Sequence, residues 1–286
     1  MSTTANSSYT IISKYIAIYA GIPIFSLGIT GGIFNIIVFL SLQTFRRSSC
    51  AIFLTFMSFV NIGQLVTGLL SRIMITGFEV DWTEKSEFYC KFRIYCLQFC
   101  ALSSYTCLCL ATIDQCLATS FRVRCQQFFN VRKSIMICTI FFIIWLLHGI
   151  PSVISFNISY SSRTKALMCT ITNPDYQTYY SFVYLLILTG LLHVFIDIIF
   201  GSLAYWNVRQ IPYRTVPLVR RELDKQLTSM VLVQVVYKTI VVVPYVSVLF
   251  VLYTANLNSL SLTNAQLNFM NYITGMIYYL NFAVRI

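Results

Sequence analysis

Apolar residues run in long blocks along this chain, separated by short polar stretches. The blocks cover about 15–42, 51–71, 97–117, 134–156, 178–208, 227–253 and 264–284. Each reaches the ~20 residues an α-helix needs to cross the hydrocarbon core of a bilayer. The pattern predicts an all-α membrane protein, a seven-transmembrane helix bundle. Residues 1–14 read as a polar N-terminal segment, and 15–286 as the bundle, with no C-terminal tail after Arg285-Ile286.

Composition agrees with the blocks. Of the 286 residues 57% are hydrophobic and 10% charged, with a mean hydropathy of +0.74. Soluble domains carry roughly 25% charged residues. The net charge of +11 does not indicate nucleic acid, because the basic residues sit in short loops rather than in a basic soluble stretch interleaved with aromatics.

Those loops set the orientation. Twelve Lys and Arg fall on the face holding the loops after the first, third and fifth runs and the chain end: Arg46, Arg47, Arg122, Arg124, Arg132, Lys133, Arg209, Arg214, Arg220, Arg221, Lys225 and Arg285. Seven fall on the other: Lys14, Arg72, Lys85, Lys91, Arg93, Arg163 and Lys165. The excess belongs inside, so the N-terminus is expected outside. Two glycosylation tripeptides, at Asn6-Ser7-Ser8 and Asn157-Ile158-Ser159, both fall on the expected outer face. No basic n-region precedes the first run, so it reads as a retained helix and not a cleaved signal.

Chemistry-bearing residues are sparse. Of ten cysteines, Cys96, Cys100, Cys107, Cys109, Cys116 and Cys138 lie inside apolar runs as small buried residues. No C-x-x-C pair marks a metal site. His148 and His193 are isolated in sequence, and no paired carboxylates, phosphate loop or nucleophile arrangement appears. The expectation is a non-enzyme with no metal and no cofactor.

The third run carries the most information. It opens near Cys90 and closes on Asp114-Gln115-Cys116, with Gln115 lying 25 residues after Cys90. Asn35 and Val38 stand in the first run, Trp145 in the fourth and Pro244 in the sixth. In this order and spacing the chain resembles the rhodopsin-like G-protein-coupled receptors, as a divergent member, over essentially 15–286. In that family a cysteine opens the third helix, an Asp-Arg-Tyr motif closes it, and Asn-x-x-Val, tryptophan and proline mark helices one, four and six. The resemblance implies a Cys90–Cys169 disulfide and a plasma-membrane receptor. It also implies an extracellular ligand and a heterotrimeric G protein as partners.

The departures are specific. Gln115 stands at the motif arginine, Asn61 at the second helix's aspartate, and Val242 at the sixth helix's tryptophan. Asn281-Phe282-Ala283-Val284-Arg285 replaces Asn-Pro-x-x-Tyr. The resemblance places Asp114, Gln115, Cys116, Asp224, Asn281 and Arg285 in the coupling machinery. Gln115 is neutral, so neither Asp114 nor Asp224 can pair with it by charge, and a weaker resting latch is expected. Asn61 lacks the charge that would hold a sodium ion.

Two ionisable residues lie deep in apolar runs, Asp197 in the fifth and Lys238 in the sixth. A lone charge there costs about 2.5–3.5 kcal/mol. A buried ion pair is expected, with the Tyr105 hydroxyl beside it, at the switch between helices five and six. Leu97 occupies the position that carries aspartate in amine receptors, which argues against an amine. Arg93, Leu97, Gln98, Tyr179 and Tyr180 are the expected ligand-facing residues and favour a peptide. A non-signalling, degenerate or truncated receptor of the same fold is the alternative. A transporter or channel is the alternative of another class, without the internal repeat such folds show.

Overall fold

The computed structural model describes residues 2–46, 48–120, 122–126, 128–161, 166–210, 218–254 and 264–284. Six helices are long and apolar enough to cross a membrane. They are α1 (Tyr9–Ser41), α2 (Ser49–Gly77), α3 (Glu87–Ala118), α4 (Val131–Ser155), α5 (Pro174–Arg209) and α6, which starts at Leu218 and has the apolar span Lys225–Thr254. The chain is a multi-pass helical membrane protein. A last helix, α7 (Asn264–Ala283), has 20 residues, is richer in Asn and Tyr, and packs against α1 and α6.

Capping chemistry sets several starts. Ser86 accepts from the Tyr89 amide ahead of α3, and Asn130 from the Lys133 amide ahead of α4. Asn173 accepts from the Asp175 and Tyr176 amides, with Pro174 opening α5. Each cap satisfies amides that have no partner within the helix. Inside the spans, hydroxyls bond the carbonyl four residues back, as at Thr55, Ser58, Thr67, Thr106 and Thr112. These hydroxyls are thereby satisfied without water, as a hydrocarbon environment requires.

Helix α3 is the axis of the bundle. In its most apolar window 72% of residues are buried, against 17% in α4, which is therefore peripheral. The outer faces of α1, α4 and α5 expose Phe34, Ile143, Leu147, Phe195 and Trp206, a belt that suits lipid rather than water. Two cores fill the interior. One surrounds Cys90, Tyr105, Tyr180, Val242 and Phe282. The other lies towards the Asp114 end around Phe53, Met57, Leu108 and Val231.

The structure adds detail to the expected bundle and changes one boundary. The protein is not purely helical, since Phe156–Ser161 (β1) and Ala166–Ile171 (β2) pair antiparallel, with Ile158 opposite Cys169. The stretch Phe156-Asn157-Ile158-Ser159-Tyr160 alternates with the two-residue period of a strand, which its polarity masks. The helix begins at Ser2 and runs into α1, and Tyr9 packs on Phe269 of α7 with ring centroids 5.1 Å apart. The second span does not end at 71 but continues to Gly77, so Arg72 stands within the helix. An arginine at the boundary reads as a loop residue until its partners are seen.

Candidate functional site

Cys90, at the start of α3, is disulfide-bonded to Cys169 of β2 with Cα atoms 5.7 Å apart. The bond holds the hairpin against one end of the bundle, and Asn157 of β1 donates to Thr172 Oγ1 at 3.2 Å. Inside this disulfide end lies a cavity of about 70 Å³ lined from five helices, with Gln64, Leu97, Gln98, Tyr180, Tyr245 and Tyr279 among its walls. Of the expected ligand-facing residues it brings together Leu97, Gln98 and Tyr180. It does not include Arg93, nor Tyr179, whose hydroxyl is 2.7 Å from His148 Nε2 at the α4–α5 contact.

The cavity walls are wound wide. Leu65–Leu69 of α2 and Tyr180–Leu192 of α5 are π-helical. Accordingly Thr189 Oγ1 donates to the Tyr184 carbonyl five residues back at 2.9 Å, and His193 Nδ1 bonds the Leu188 carbonyl. Each wide turn bulges the helix and resets which side chains face inward, a feature that concentrates at functional sites. Gln64 Oε1 and both polar atoms of the Gln98 amide are buried without a well-formed hydrogen bond, although Gln98 lies close to the Tyr176 hydroxyl. Buried amides in that condition call for water or a ligand.

A second site crosses the middle of the bundle. Lys238 Nζ of α6 is 2.7 Å from Asp197 Oδ2 of α5, and both side chains are buried. The ammonium also lies over the Tyr105 ring, 4.6 Å from its centroid. Tyr105 thus joins the pair through its ring face. The quadrupole of the ring attracts the cation there. Thr112 Oγ1 approaches Asp197 Oδ1 at 3.4 Å. Sequence reasoning missed the extension of this cluster. His193 is not isolated: its ring is 5.7 Å from Tyr105, and its Nε2 is 3.3 Å from Thr106 Oγ1, which accepts from Trp145 Nε1 at 3.0 Å. Its position one turn before Asp197 was the available signal.

The third site lies at the Asp114 end. Gln115 Oε1 accepts a hydrogen bond from Thr228 of α6 at 2.8 Å, inside the bundle. Cys116 contributes its carbonyl to Asn207 Nδ2 of α5 at 3.2 Å. Asp114 is buried beside them. The neutral glutamine therefore still ties α3 to α6, through a threonine that a search for charged partners overlooks. Among the polar core residues, Asn61 Oδ1 accepts from Ser104 at 2.6 Å. Asn281 is buried with neither amide atom hydrogen-bonded. Asn35 is half-buried on α1. Pro244 removes the amide that would bond Ile240, beside the cavity residue Tyr245. Arg285 and the side chains of Asn6 and Asp224 lie outside the described residues.

Among the described residues no group of His, Cys, Asp and Glu is placed to hold a metal ion. No family model and no curated protein matches the sequence.

Proposed function

We propose that this chain is a divergent rhodopsin-like receptor of the plasma membrane that couples an extracellular ligand to a heterotrimeric G protein. In this reading α7 is the seventh span and the N-terminus and the hairpin lie outside. The observation that carries it is the division of labour along α3. Its disulfide end borders a cavity lined by aromatic and amide side chains, and its Asp114 end is tied to α6 by the neutral hydrogen bond of Gln115 with Thr228. Between them the Asp197–Lys238 pair joins α5 to α6. Ligand entry that widens the cavity would favour an arrangement in which α6 leaves Gln115, and only such differential affinity shifts an equilibrium. A peptide body is far larger than the room of about 70 Å³, so a peptide would rest on the loop surface and insert one end.

The test is G-protein activation in cells expressing the chain from an inducible promoter, beside Gln115→Arg. Activation that rises with wild-type expression supports the receptor reading. A specific observation favours the alternative of a non-signalling receptor: the Gln115 side chain carries no charge and is already held by Thr228. Activation by Gln115→Arg alone would support that alternative. Silence of both forms with normal surface expression would count against coupling altogether.

A further inference from the structure

Arg72 is a cation within a membrane helix, where ionisable groups mark function. Among the described residues the ion pairs are Lys14–Glu79, Lys91–Glu87 and Lys238–Asp197, and none involves Arg72. Its Nη1 reaches the Asn271 and Tyr272 carbonyls of α7 at 3.2 and 3.5 Å. Both contacts are long, both use one nitrogen, and a guanidinium has five N–H donors in a planar fork. The group is half-buried, so it retains an accessible face.

Its seat is built for it. The guanidinium lies against the backbone of α7 at Gly275, where a Cβ would sit 1.8 Å from Nη1. Glycine inside a helix is otherwise disfavoured. The carbon of the guanidinium faces the Tyr272 and Tyr279 rings at 5.6 and 5.9 Å from their centroids. On α2, Gln64, Gly68 and Arg72 recur every four residues and share one face. Gln64 lines the cavity, and a Cβ at Gly68 would sit 2.6 Å from the Tyr279 hydroxyl. Arg72 therefore stands two turns beyond Gln64 along α2, towards the disulfide end, with the hydroxyl of the cavity residue Tyr279 at the intervening Gly68.

We propose that Arg72 is the charged recognition residue of a carboxylate subsite at the disulfide end of the cavity, which receives the few atoms attached to the carboxylate. Arg presents a fork that matches a carboxylate with two parallel N–H···O bonds. The room of about 70 Å³, well below the ~300–1,000 Å³ of sites for drug-sized ligands, limits the buried end to a small group. The carboxylate belongs either to a short organic acid or to the C-terminus of a peptide. The inference takes the cavity as the ligand site of the receptor reading, but binding is measured without signalling.

The experiment is thermal unfolding of the full chain in lipid nanodiscs with sodium propionate against propionamide, and with N-acetyl-glycyl-leucine against its C-terminal amide. A saturable rise in Tm with an acid and none with its amide is the expected result, and the acid that acts identifies the source. Arg72→Gln should weaken that acid at least tenfold, and Arg72→Lys, which keeps the charge and loses the fork, by less. Should Arg72→Gln fail to fold, the Lys variant and the acid–amide comparison still decide. Equal responses to acid and amide, no response to either acid, or unchanged affinity in Arg72→Gln would each overturn the proposal. Loss of signalling with acid binding intact would instead fault the receptor reading.

Discussion

The ammonium of Lys238 on α6 lies 2.7 Å from the carboxylate of Asp197 on α5, and neither side chain reaches the surface. Taking two charges out of water is expensive, and their attraction repays it only with good geometry and further polar contacts. Here the Tyr105 ring and Thr112 hydroxyl supply those contacts. Asp197→Asn or Lys238→Met alone leaves a buried charge uncompensated, and we expect each to cost about 3–5 kcal/mol. Thermal unfolding in detergent checks this, with surface expression as a second readout. The exchange of both residues, Asp197→Lys with Lys238→Asp, should recover a substantial part. If the double exchange is no better than the worse single variant, the contact does not hold the helices.

The Gln115–Thr228 bond is the neutral counterpart at the Asp114 end, at 2.8 Å. A neutral hydrogen bond contributes a net of about 0.5–1.5 kcal/mol. Thr228→Val keeps the shape and removes the donor, so it should shift the α3–α6 equilibrium towards separation by roughly 2- to 13-fold. Spin labels on exposed positions of α4 and α6 would report the population by distance measurement. Basal G-protein activation should rise in parallel. An unchanged distance distribution would remove the latch from the mechanism.

At the opposite end, Lys14 of α1 contacts Glu79 just beyond α2 at 2.6 Å. The hydrogen bond from Lys14, and then its charge, hold the Glu79 carboxyl below its ordinary 4.5. A depressed folded-state value means the contact contributes above the ordinary value and is lost as pH falls through the lowered one. Glu79 is exposed, so the effect is small and local. Cross-linking between cysteines placed at Tyr9 and Phe269 should therefore slow in Glu79→Gln relative to wild type at pH 7. The difference should fade as the pH falls through that lowered value. A difference that persists in acid would show that the carboxylate is not its source.

How much of this could be read from the chain differs by residue. Asp197 and Lys238 were legible because a charge inside a long apolar block stands out against hydrocarbon. The Cys90–Cys169 bond followed only from the family resemblance, since spacing alone does not choose among ten cysteines. Thr228 and the π-helical turns at Leu65–Leu69 and Tyr180–Leu192 were not legible. A threonine satisfied by its own helix and one meeting a neighbour have the same sequence signature, and a single extra residue in a turn leaves hydropathy unchanged. Arg72 was visible but misplaced. It breaks the apolar run, and the geometry that lets it stay in the helix lies 203 positions away at Gly275.

The polar core gives the last expectation. Asn61 on α2 accepts from Ser104 on α3 at 2.6 Å, and Asn281 on α7 is buried with its amide unbonded. A sodium ion prefers oxygen ligands that include a formal negative charge, because its hydration is costly to replace with neutral groups. Asn61 offers one carbonyl oxygen, already engaged, and no charge. Purified protein should therefore unfold at the same Tm in sodium chloride as in N-methyl-D-glucamine chloride of equal ionic strength. Asn61→Asp places a carboxylate beside Ser104, and should create a saturable stabilisation by sodium. Bound ligand at 100 times its Kd adds about 2.7 kcal/mol, enough to read as a Tm shift of several degrees. A sodium-dependent Tm in the wild type would place a charged ligand in the core other than Asn61. Asp114 and Asp197 would then be the residues to neutralise next, because they are the acids buried within the described spans.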